Sequence, residues 1–133
     1  MASFDKSEMK AYFSQLVDAT KNGVMSWVEV NPSTYSWDTR TPVPARLTLQ
    51  LVLRQQVPTR EPNGQLVVRQ VKSYFFQAIE VQQVAQKVRL SVNGAEDDEL
   101  NGLLETLYET IQSTISKQSL DFLKSILPPQ KTN

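Results

Sequence analysis

The chain has 133 residues, equal numbers of basic and acidic side chains (14 each, net charge zero), and no histidine or cysteine. That length suits a single domain with its own core, and the balanced charge builds in no general attraction to nucleic acid or anionic membrane. Without imidazole or thiol, Ser-His-Asp, Cys-His, thiol-redox and thiolate-zinc chemistry are excluded.

The opening residues, Met1 to Lys6, hold no apolar run of signal-peptide length, and no later segment is apolar for long enough to span a bilayer. A cytoplasmic location without membrane contact is the expectation. The only glycosylation-like triplet, Asn31-Pro32-Ser33, is disqualified by its proline.

From Asp5 to Lys21 the spacing predicts a helix. Met9, Tyr12, Phe13, Leu16 and Val17 fall on one stripe, Ser3 or Ser7 is placed to cap the start, and Asn22-Gly23 supplies a left-handed stop. Period two takes over from Val24 to Asn31, with Val24, Ser26, Val28 and Val30 on one face and Met25, Trp27 and Glu29 on the other. Pro32 to Pro44 shows neither period and reads as a long loop, functional or folded back on the body.

Ala45 to Gln56 alternates most clearly: Leu47, Leu49, Leu51 and Leu53 on the core face, Arg46, Thr48, Gln50, Val52 and Arg54 on the other. Val57 to Gln65, with Pro58, Pro62 and Asn63-Gly64, reads as the hairpin loop. A returning strand runs from about Gln65 to Val81, with a bulge suspected at Arg69 to Tyr74; a short helix over Phe75 to Gln86 is the alternative. A fourth strand carries Val84, Val88, Leu90 and Val92 and stops at Asn93-Gly94.

A long helix closes the chain. Glu96, Asp97, Asp98 and Glu99 sit at its positive end, and Leu100, Leu103, Leu104, Leu107, Ile111 and Ile115 make its buried stripe. Leu120, Leu123, Ile126 and Leu127 lie out of phase with that stripe, which suggests a kink or break at Ser116 to Ser119. Pro128-Pro129 ends the helix. The expected fold is therefore α+β, a two-layer sandwich of order αββββα, with a four-stranded antiparallel meander packed against both helices. Residues 1–127 form the domain and 128–133 a loose tail. In element order this resembles cystatin-like and secretion-chaperone-like folds, and no motif of either is present.

Few residues suggest chemistry. The acidic run 96–99 lacks the alternating ligand spacing of a calcium loop and is explained by the helix dipole. Glu105 and Glu109 share a helix face beside the leucine stripe, which is how a solvated face looks. The four glycines are isolated, so no phosphate loop exists. The reading is a non-catalytic protein without cofactor or metal.

Two surfaces remain. If the hairpin is symmetric, Arg46, Arg54, Lys72, Tyr74 and Phe76 share the outer sheet face, joined by Met25 and Trp27, and by Tyr35 and Trp37 if the 32–44 loop folds across it. Such mixtures serve protein interfaces, or single-stranded nucleic acid by stacking, or are buried within the same chain if the loop covers them; intrachain packing and a protein partner rank equal, and the zero net charge ranks nucleic acid behind both. The favoured partner site is the last helical segment, where Leu120, Phe122, Leu123, Ile126 and Leu127 leave little polar surface. The expected function is a small interaction module (accessory, adaptor or chaperone-like subunit) binding a protein partner or a second copy as a homodimer. Small-ligand or single-stranded nucleic acid binding on the open sheet face is the alternative, and a carboxylate-based enzyme comes last.

Overall fold

Asp5 starts the first helix: its carboxylate accepts the Ser7 N–H at 2.9 Å, so the cap is Asp5 and Ser7 is its donor. The structure, a computed structural model, describes residues 5–128, and the side chains of 53 and 54 are left aside. The Ser3 cap and the expected tail from 129 onward lie outside the described residues.

Helix α1 covers Lys6–Lys21 and buries Met9, Phe13, Val17 and Thr20. Gly23, at φ +76°, turns the chain so that the Val24 and Met25 N–H groups both reach the Ala19 carbonyl. Strands follow at Val28–Asn31 (β1), Thr34–Thr39 (β2), Ala45–Arg60 (β3), Leu66–Val81 (β4) and Gln86–Asn93 (β5). A 3₁₀ turn, Gly94–Glu96, leads into α2, Asp98–Ile126. The sheet is an antiparallel meander in chain order with five strands, one more than expected. The extra strand is β2, drawn from the segment read as a loop; it pairs along β3 from Thr34↔Gln50 to Thr39↔Ala45.

The α+β class holds, with both helices on one face of the sheet and a core between the layers. Leu49, Leu104, Leu107 and Ile111 are fully buried there, and the rings of Phe13 and Phe76 meet edge to face at 5.2 Å. Thr20 Oγ1 accepts from Trp27 Nε1 at 3.0 Å and donates to the Leu16 carbonyl at 2.7 Å, which satisfies the buried indole.

Two further expectations need correction, and one alternative is decided. The hairpin loop is Glu61 to Gln65, because β3 continues through Pro58 to Arg60; a proline is tolerated there since that end of β3 pairs only with β4. Residues 75–81 are strand, as the returning strand to Val81 required, and the alternative of a short helix falls. Helix α2 runs 29 residues without a break at 116–119.

Candidate functional site

The predicted outer-face cluster is taken apart by one residue. From the turn inward, β3 and β4 pair as a symmetric hairpin would require, Arg54 opposite Lys72. Between Leu51 and Leu53 the register slips, leaving Val52 as a bulge, and beyond it Leu51 faces Tyr74, Leu49 faces Phe76 and Leu47 faces Ala78. Tyr74 and Phe76 are consequently on the core side, at 1% and 2% exposure. Met25, Trp27 and Tyr35 are buried as well, and Trp37 packs against the core. Arg46 stays on the outer face, opposite Ile79, with Thr48 opposite Gln77 and Gln50 opposite Phe75. It forks onto Asp38, Nε to Oδ1 at 2.8 Å and Nη2 to Oδ2 at 3.3 Å, and this contact holds the Asp38 carboxyl below the usual carboxylate range. Among the described residues, the expected mixture of aromatic and basic side chains is not gathered on that face; the Arg54 side chain lies outside the described residues.

The tyrosines gather inside. The ring of Tyr108, from α2, lies 5.2 Å from Tyr35 and 5.1 Å from Tyr74, and its hydroxyl reaches the Pro32 carbonyl at 3.4 Å. Burial, with the negative charges of Glu105 and Glu109 behind it, raises the Tyr74 pKa far above that of a free phenol. A buried phenol that stays protonated suits packing, not proton abstraction.

The acidic run works as a helix start and a clamp. Asp97 accepts the N–H groups of Glu99 and Leu100 at 3.0 and 3.1 Å, while Lys6 reaches Asp97 at 3.0 Å and Glu99 at 3.3 Å, and Lys10 pairs with Glu99. Lys6 and the backbone donor at Leu100 hold Asp97 low, Lys10 and then Lys6 hold Glu99 low, and the two carboxylates raise Lys6. Depressed carboxylates stabilise the fold above their unfolded values near pH 4, and that contribution disappears as pH falls through the folded values; the raised lysine adds stability that is lost only above about pH 10. Urea midpoints measured against pH should therefore separate wild type from Lys6→Met between about pH 5 and 10, converge below about pH 3, and separate less in high salt. Among the described residues, no three acidic side chains are grouped so as to hold a metal ion, and no helix is long and apolar enough to cross a membrane.

The C-terminal segment is where the sequence placed its favoured site, and it is exposed. From Ser116 to Ile126 every residue of α2 is open to solvent, including Leu120, Phe122, Leu123 and Ile126, and Leu127 just past the helix end is 63% exposed. At about 100° per residue, Leu120, Phe122, Leu123, Ile126 and Leu127 fill one side of the helix, with Lys117, Asp121, Lys124 and Ser125 opposite. That apolar side is turned by roughly a quarter of a circle from the stripe of Leu104, Leu107 and Ile111 that packs on the sheet.

A second apolar feature was not anticipated. Between α1 and the sheet runs a groove of about 530 Å³. One wall is Met9, Tyr12, Phe13, Leu16 and Ala19; the other is Leu47, Phe76, Ala78 and Leu90, with Gln15 the polar residue among those lining it. A hint was present in α1, whose apolar stripe includes Tyr12, a residue that remains 57% exposed. The depth of the groove depends on Ala19 and Ala78 being small, and on how far α1 sits from β5, which no local pattern specifies.

No protein-family model, curated protein or solved structure matches this chain.

Proposed function

We propose that the protein is a non-catalytic binding module that docks onto another protein chain through the end of α2. The observation that supports this reading is the solvent-exposed apolar side at Leu120, Phe122, Leu123, Ile126 and Leu127 on an otherwise regular helix. Keeping that much aliphatic and aromatic surface in water is unfavourable, and amphipathic helices of this kind are read by apolar grooves at i, i+3 and i+7. A chaperone-like or adaptor subunit fits this description. Binding of single-stranded nucleic acid ranks below it, because the aromatic residues that would stack bases are in the core and Arg46 is engaged by Asp38.

The test is the variant Phe122→Ser/Leu123→Asp/Ile126→Ser. All three side chains are exposed, so the helical circular dichroism should be retained and the melting temperature change little. Association, read as solution mass by light scattering and as retention of a co-purifying partner, should weaken by about 100-fold or more, as expected when apolar anchors are removed. Undiminished mass and undiminished retention would rule the site out.

A further inference from the structure

We propose that the groove beneath α1 receives the α2 end of a second copy of this chain, in a reciprocal two-fold dimer. This rests on the docking role just given to the α2 end and names its occupant.

The two features match in kind and size. The groove is concave and almost wholly apolar, with Tyr12 and Leu16 on one wall and Leu90 and Ala78 on the other. The α2 end is convex, with an apolar side about eight residues long and polar residues confined to its back. A volume of about 530 Å³ accommodates a few Leu, Ile or Phe side chains and leaves the helix backbone outside.

The α2 end cannot reach the groove of its own copy. Lys117 lines a cleft with Lys21, the last residue of α1, so α2 leaves the body beside that helix end. From there it continues straight for about another 14 Å without a break, and it would have to fold back on itself to reach Tyr12 or Leu90. Both features thus stay exposed in the isolated chain.

Area favours two contacts over one. Five side chains at about half to two-thirds exposure offer on the order of 500 Å² of apolar surface. One insertion, counting both partners, falls short of the roughly 1,200 Å² at which stable interfaces begin; two reciprocal insertions reach it. Reciprocity also closes the assembly at two copies, where a single unreturned contact would propagate into a ring or a filament.

The experiment mixes two complementary variants of the full chain. Leu123→Asp/Ile126→Asp spoils the helix end, and Tyr12→Glu/Ala78→Gln spoils the groove at one exposed and one partly exposed position. Circular dichroism melts establish that each is folded. Sedimentation at concentrations up to about 100 μM should give a dimer for wild type and at least about tenfold weaker self-association for each variant alone. The equimolar mixture restores one of the two insertions, the intact helix end of one variant in the intact groove of the other, so its association should be tighter than the self-association of either variant and weaker than that of wild type. A monomeric wild type, a groove variant that still dimerises normally, or a mixture that associates no more tightly than either variant alone would overturn the groove assignment. A foreign partner lost only with the helix-end variant, alongside a monomeric wild type, would overturn it too, yet leave the docking role of the α2 end standing.

Discussion

Replacing Phe13 with alanine should lower the unfolding free energy by about 3–5 kcal/mol, seen as a fall in the urea midpoint at constant slope. Phe13 is 1% exposed, and its ring meets Phe76 edge to face, so truncation removes transfer energy and an aromatic pair and opens a void in the cluster that also holds fully buried Leu49 and Leu104. The groove lies against the same ring, so water entering the enlarged space relieves part of the cavity cost and places the value in the lower half of that range. Phe122→Ala is the internal control. The residue type is the same but 63% exposed on the end of α2, and stability should change by no more than about 0.5 kcal/mol. A loss below about 1 kcal/mol at Phe13 would mean that α1 does not cover the sheet as described.

The contrast between the two phenylalanines also marks where sequence reading succeeds. Features written in a local period were legible. The stripe of α1, Leu47, Leu49 and Leu51 of β3, the turn at Asn63-Gly64 and the buried face of α2 were all placed correctly, because each is a local repeat or turn pattern that few conformations can satisfy. The exposed end of α2 was legible for the same reason: its apolar residues are out of phase with the core stripe. What failed depended on pairing between distant residues. Val52 shifts the alternation of β3 against β4 by one, and that slip decides whether Tyr74 and Phe76 face water or Leu49. No property of Val52 itself announces the bulge. Strand β2 was missed because the polar–aromatic alternation of Thr34-Tyr35-Ser36-Trp37 is only four residues long and lies between flanking prolines, and its strand state comes from the β3 edge it completes. The groove is a property of four separate elements, hinted at in the sequence by Tyr12 on the α1 stripe alone.

Gly94→Ala should cost about 2–4 kcal/mol, large for one methyl group outside the apolar core. Strand β4 outruns β5 at this point: the last pair is Phe75 with Asn93, so the Tyr74 N–H and Lys72 carbonyl have no strand partner on that side. Asn101 substitutes for the missing strand, accepting from the Tyr74 N–H at 3.0 Å and donating to the Lys72 carbonyl at 2.9 Å. Gly94 leaves the room for this. A methyl built there overlaps Asn101 Oδ1 and stands 2.9 Å from the Tyr74 carbonyl oxygen. Asn101 must then swing aside, and two partly buried backbone groups lose their partner at about 1–3 kcal/mol each before any water replaces it. Asn101→Ala alone forfeits the same two bonds and should cost about 2–3 kcal/mol. The double variant, however, has no amide left to displace, so the two losses should overlap, with about 1–2 kcal/mol of coupling in a denaturation cycle. Additivity within about 0.5 kcal/mol would show that the glycine is needed only against the Tyr74 carbonyl, and that Asn101 does not tie the start of α2 to the sheet.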